Sequence, residues 1–136
     1  MDGLPLCVTD DTTIAGNIRL LRRVHKDQVH AGKIDTSVFR ETEMGCGLSV
    51  TVWETPDDLE DILRGHEGFC VICVSADELR KHGVIITRHA LVGNLNHCEI
   101  FPRLTGGQRK KLKAAAIWVR YADWVLPEHR EVLEVF

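Results

Sequence analysis

The sequence predicts an α+β fold, a single domain (1–136) on a mixed or mainly antiparallel sheet with about three or four helices. Three observations predict it. Strand-like runs recur along the chain, from the alternating LSVTVW of 48–53 to the continuous apolar FCVICV of 69–74. Helix starts carry their own caps: Thr55 before Pro56, Ser75 with Glu78, and Thr105 with Gln108. Two further strand-like runs, 84–89 and 97–101, flank a polar Gly/Asn turn and read as a hairpin across 90–96.

Length and composition set the frame. A chain of 136 residues suits one domain, burying about 68% of its unfolded surface. Hydrophobic residues at 44% and charged residues at 27% exclude a disordered or collagen-like chain. Seventeen Lys+Arg against 20 Asp+Glu give a formal charge of −3, which argues against wholesale wrapping of nucleic acid and leaves room for a local basic patch. The five cysteines, Cys7, Cys46, Cys70, Cys73 and Cys98, have no framework-like spacing. The opening MDGLPLCVTDD lacks a signal-peptide pattern and no apolar run is long enough to span a membrane, so a cytoplasmic protein with reduced thiols is expected.

In chain order, a short apolar start at 4–8 leads into a polar turn-forming stretch. The IRLLRRVH of 18–25 reads as a first strand, although its alternation is not clean. Residues 26–47 have poor periodicity and read as a long loop with a short element near 37–40, either a lid or an ordinary surface excursion. In 48–53, Leu48, Val50 and Val52 face one way and Ser49, Thr51 and Trp53 the other. The helix from Thr55 places Asp57 and Asp58 in its first turn, where carboxylates suit the dipole. It buries Leu59, Ile62 and Leu63 and stops at Gly65 or Gly68. Next come the buried strand 69–74, a short helix ended by Gly83, and the hairpin. Thr105 then opens a basic helix read to residue 121, with Leu112, Ala115, Ala116 and Val119 at i, i+3, i+4 and i+7. Pro127 breaks the tail, which suits a short packed helix or strand.

The chemistry-bearing residues concentrate in 84–121. Strand alternation puts His97 and Glu99 on one face and Cys98 with Ile100 on the other. A histidine and carboxylate so placed suit a base and its orienter, or equally the polar side of a one-sided sheet. Asn94 and Asn96 fit the turn's backbone geometry and would also hydrogen-bond a ligand. If 18–25 is a strand, Arg23 and His25 share a face. Arginine offers a fork matched to phosphate or carboxylate, and the pattern leaves open whether Arg22 or Arg23 faces a cleft. Arg109, Lys110, Lys111 and Lys113 lie near a helix start, where the dipole disfavours cations; an anionic partner would relieve them, whether the acidic helix 55–64, a partner protein, a nucleic acid or a phosphate. Cys70 and Cys73 have CxxC spacing but sit in a strand, where residues three apart point to opposite faces; they read as core cysteines. His89 and His97 with a cysteine offer no recognised ligand spacing, so no metal is expected.

Arg22-Arg23-Val24-His25 and Asn94-Leu95-Asn96-His97-Cys98 resemble, in a general way, the RRxH and NxxH[AC] stretches of small uncharacterised bacterial proteins. A fainter similarity, over roughly residues 18–104, is to ADP-ribosyltransferase-like domains, in which an early strand supplies Arg or His, a middle strand Ser or Thr, and a late strand a glutamate. Here these positions are Arg23 and His25, Ser49 and Thr51, and Glu99. Ser49-Val50-Thr51 departs from the Ser-Thr-Ser of one class, and Glu99 is not part of a Glu-x-Glu. The resemblance implies NAD as ligand, with Arg23 or His25 on its phosphates or ribose. Glu99 would stabilise an oxocarbenium-like ribose and His97 would orient it. The expected site therefore combines Arg23, His25, Ser49, His97 and Glu99 as catalytic residues, with Arg22, Asn94 and Asn96 binding cofactor. Two alternatives use the same chain differently. One is metal-independent RNA cleavage by His25 and His97, with Arg23 or Lys110 on the phosphate. The other is a non-catalytic interaction module whose basic and acidic helices dock a partner, exposing an apolar patch around Trp118, Trp124 and Phe136.

Overall fold

The computed structural model describes residues 9–40 and 47–130. The apolar start at 4–8, Cys7, Gly45, Cys46 and the tail 131–136 with Phe136 lie outside the described residues. The architecture is α+β. Its strands are β1 (Arg19–Val24), β2 (Val29–His30), β3 (Lys33–Ile34), β4 (Leu48–Val52), β5 (Cys70–Ser75), β6 (Ile85–Arg88), β7 (His97–Phe101) and β8 (Ile117–Arg120). Three α-helices are described: α1 (Pro56–Leu63), α2 (Ala76–Arg80) and α3 (Gly106–Ala115). Six strands form one sheet in the order β6-β7-β4-β1-β5-β8, and β2 with β3 forms a separate hairpin. Every described pairing is antiparallel.

Side-chain alternation gives the sheet two unlike faces. Leu20, Val24, Val50, Val52, Ile72, Val74, Ile86 and Ile100 form the main core with Leu112 of α3 and Leu79 of α2. On the other face Leu21, Val71 and Cys73 pack against Ile62 and Leu63 of α1 in a smaller cluster. The FCVICV run is thus buried on both faces, as its composition implies, but within an antiparallel pairing between β1 and β8. Its two thiols divide as strand geometry dictates: Cys70 belongs to the main core and Cys73 to the smaller cluster. Burial raises the pKa of both above the ordinary thiol value.

The capping signals act as read. The Asp58 carboxylate accepts the N–H groups of Glu54 (2.8 Å) and Thr55 (2.9 Å) at the start of α1. Ser75 accepts from Glu78 (3.1 Å) at α2, and Thr105 with Gln108 closes a capping box at α3.

Two expectations are corrected. The basic helix does not continue to residue 121. It ends at Ala115, and Ile117–Arg120 runs as an edge strand on β5, with Trp118 opposite Ile72. The alanines at 114–116 satisfy a helical stripe, whereas Ile117, Trp118 and Val119 favour a pleated strand once β5 offers a free edge. Residues 26–40, expected as a long loop with one short element near 37–40, hold that element and more. They hold a 3-10 turn at Lys26–Gln28, the β2–β3 hairpin and a second 3-10 turn at Thr36–Phe39. Val38 and Phe39 are fully buried in the main core, so this segment packs under the sheet.

Among the described residues no helix is long and apolar enough to cross a membrane.

Candidate functional site

A cleft of about 380 Å³ opens on the α1 face of the sheet, where β1, β4 and β7 are not covered by the helix. Its floor comes from strand alternation: Leu21 and Arg23 of β1, Ser49 and Thr51 of β4, and His97 of β7. Asp61, Ile62 and Arg64 at the end of α1 form one wall, and the turn Leu91–Asn94 forms the other. That turn is a tight reversal. Leu91 and Asn94 exchange backbone hydrogen bonds at 3.0 Å in both directions, and Gly93 takes φ +81°, which a glycine adopts without strain. Arg64 reaches across from α1, donating to Asp61 Oδ1 (2.8 Å) and to the Gly93 carbonyl (3.3 Å).

Arg23 is the residue that gives the cleft its character. Its Nη1 donates to the Ile62 carbonyl at 2.9 Å and lies 3.4 Å from His66 Nδ1, and among the described residues no carboxylate pairs with it. Burial lowers its pKa. A desolvated guanidinium is normally paired, so this one faces the cleft with unspent capacity for an anion.

His97 is buried at 7% exposure, and its Nδ1 lies 2.8 Å from the His89 carbonyl. A carbonyl only accepts, so in the neutral ring Nδ1 carries the proton and Nε2 is the acceptor. Thr51, also buried, accepts from Asn94 Nδ2 at 3.0 Å; the Asn94 Oδ1 is enclosed without a partner. Glu99 stands directly opposite Ser49 across the β4–β7 pairing, on the same sheet face. Its Oε1 lies 3.1 Å from His89 Nδ1, and its Oε2 accepts the Gly47 N–H at 3.3 Å. The His89 and His97 rings are 5.5 Å apart. A glutamate, two imidazoles, two hydroxyls and the Arg23 guanidinium thus share one sheet face.

The structure brings Arg23, Ser49, Asn94 and His97 to the cleft and places Glu99 beside it. It sends three expected residues elsewhere. Arg22 borders the cleft, but its guanidinium is committed to the carbonyls of Val38 and Ser49 (both 2.8 Å). Its strand position matches that of Leu20 and Val24, which point into the main core. His25 caps the turn at 26–28, accepting the Asp27 N–H at 3.1 Å, and its ring edge packs on Phe69; it does not line the cleft. Asn96 ties the hairpin to α1, donating to Asp58 Oδ1 (2.8 Å) and accepting from Arg88 (3.3 Å).

Sequence reasoning missed Arg64 and the link from His89 to Glu99. A cation at the C-terminal end of a predicted helix was the available signal for Arg64. For His89, the signal was its place across the hairpin from His97. The basic and acidic helices do not meet, because Leu112 of α3 packs in the main core and Ile62 of α1 in the cluster on the opposite face.

No family model, no curated protein and no solved structure matches this chain. The site's chemistry must therefore carry the functional reading.

Proposed function

We propose that the cleft binds a nucleotide through its phosphate and that the chain is an NAD-directed, ADP-ribosyltransferase-like enzyme. The observation that carries this reading is Arg23, a half-buried guanidinium without a carboxylate partner among the described residues, opening on a cleft lined by Ser49, Thr51 and His97. Arginine's planar fork suits a diphosphate, and the hydroxyls suit a ribose.

In the proposed reaction the bond between ribose C1′ and the nicotinamide nitrogen breaks, and its electron pair leaves on neutral nicotinamide. The Glu99 carboxylate, held by His89 and the Gly47 N–H, offsets the positive charge that develops on the ribose. An acceptor oxygen or nitrogen then bonds to C1′, and its proton passes to His97 Nε2 or to water. The order Arg23, Ser49, Glu99 along the chain supports the reading, as does the cross-strand pairing of the last two.

Calorimetric titration of NAD and of a short RNA into the wild type, Arg23→Met, Glu99→Gln and His97→Ala tests this, alongside nicotinamide release. The expected result is NAD binding weakened at least about tenfold by Arg23→Met. Glu99→Gln should retain binding and lose nicotinamide release. RNA binding that depends on His97, without NAD binding, would move the function to RNA cleavage.

One observation favours the non-catalytic alternative. Leu91, Val92 and Leu95 form an exposed apolar tip on the hairpin, with Val92 fully exposed. Of the three residues expected at an apolar patch, Trp118 is 7% exposed and stacks on Tyr121. If neither NAD nor RNA binds, docking of a protein through this tip becomes the reading.

A further inference from the structure

A second cavity, of about 410 Å³, lies on the opposite face of the sheet and plays no part in the proposed reaction. Its apolar lining is Ala114, Ala116 and the almost fully buried Ile34 of β3, Ile72 of β5 and Trp118 of β8, and Lys33, Lys110 and Lys113 stand around it. No acidic side chain among the described residues lines it. Among the described residues none of the three lysines has an ion-pair partner. Lys110 and Lys113 are one turn apart on the same short helix, a repulsive spacing for like charges, and Lys33 approaches from the β2–β3 hairpin. The acidic helix α1 does not relieve them, since it packs on the far side of the sheet.

Two independent features thus converge: an apolar recess of small-molecule size and three uncompensated ammonium groups from two elements. Charge alone would suit any anion, including a bare phosphate. The indole and alanine lining adds a preference that inorganic phosphate does not meet.

We infer that this cavity binds a small amphiphilic anion, a carboxylate head on an aliphatic or aromatic body, with the head among Lys33, Lys110 and Lys113 and the body against Ala114, Ala116 and the edge of Trp118. Lysine suits this role because its flexible stem packs on the apolar body while its ammonium follows the head group.

Octanoate is the probe, titrated by calorimetry and by amide chemical shifts, with octanol and octylamine as neutral and cationic matches. The inference expects octanoate to bind, with shifts confined to residues around Trp118, and both matches to bind more weakly. The double variant Lys110→Met/Lys113→Met should weaken octanoate by about tenfold or more. Lys111→Met changes the helix charge outside the cavity and should leave binding unchanged. Equal binding of octanoate and octanol would overturn the inference, as would equal sensitivity to Lys111→Met. Binding of inorganic phosphate as tight as octanoate's, or of an acidic peptide in its place, would overturn it too. NAD binding is read in parallel in the same variants. Its loss or survival bears on the cleft across the sheet and leaves the octanoate result to stand alone.

Discussion

The two faces of the six-stranded sheet are made by the same strands and differ in what they can do. On the α2–α3 face, Leu20, Val24, Val50, Ile72, Cys98 and Ile100 run apolar from strand to strand, with Arg22 and, opposite Cys98, Arg88 as polar interruptions. On the α1 face the pattern changes halfway across. It is apolar over β5 and at Leu21 of β1, where α1 lies, and polar at Arg23 of β1 and over β4 and β7, where Ser49, Thr51, His97 and Glu99 stand. One face holds the molecule together. The other keeps stability in one half and leaves the second half free to bind. Chemistry is therefore expected where α1 stops, and the comparison can be broken at either end.

The largest effects belong to the core face. Leu20→Ala deletes a fully buried side chain and should cost about 2–5 kcal/mol, read from denaturant midpoints. A loss below about 1 kcal/mol would show that the two faces do not divide the work as described.

Alkaline pH probes the same face without a bulky deletion. Burial pushes the Cys98 thiol up to about 11, against an ordinary value of 9.0. The folded state holds this proton after the unfolded chain has released it. The stabilising contribution is complete below pH 9 and is lost as pH rises toward 11. The loss for two pKa units is about 2–3 kcal/mol. Comparing wild type with Cys98→Ala across that window isolates it from other alkaline titrations. Parallel stability curves would mean that the thiol is not desolvated in the folded state.

Asp58 sits where the faces exchange roles. It is 5% exposed and accepts from Glu54, Thr55 and Asn96, so it caps α1 and pins the hairpin beside the cleft. Asp58→Ala should cost about 2 kcal/mol, at the upper end for a lost cap because a buried amide also loses its partner. Asp57→Ala, on the exposed side of the same turn, serves as the control. Equal costs for the two would remove the special role given to Asp58.

What could be read in advance follows a physical line. Alternation assigned Ser49, Thr51, His97 and Glu99 to their sides, because a strand's period is local. The caps at Thr55, Ser75 and Thr105 were legible for the same reason. Strand order was not, since β4 pairs with both β1 and β7 through contacts far apart in sequence. Whether Arg22 or Arg23 reached the cleft was equally hidden, because both are arginines and only the burial of Leu20 or Leu21 beneath different layers distinguishes them. The end of α3 failed through a like cause: pairing of Ile117–Arg120 with β5 overrode a helical pattern carried by alanines. The β2–β3 hairpin lacked the usual Asn-Gly signal. It turns instead through Ala31 and Gly32, both at positive φ (52° and 78°).

The smallest expected change in stability belongs to the residue that separates the faces most sharply. Ser49 follows the core residue Leu48 by one position, yet its side chain opens on the cleft and has no hydrogen-bond partner among the described residues. Ser49→Ala should shift stability by no more than about 0.5 kcal/mol, since no bond is lost and no cavity is made. Its effect on NAD binding should exceed that, because a hydroxyl unpaired in the free protein is available to a ribose or phosphate oxygen. Thermal melts and calorimetry on one preparation read both quantities. A drop in stability with unchanged NAD affinity would place Ser49 among the structural residues and return β4 to the role its other face already plays.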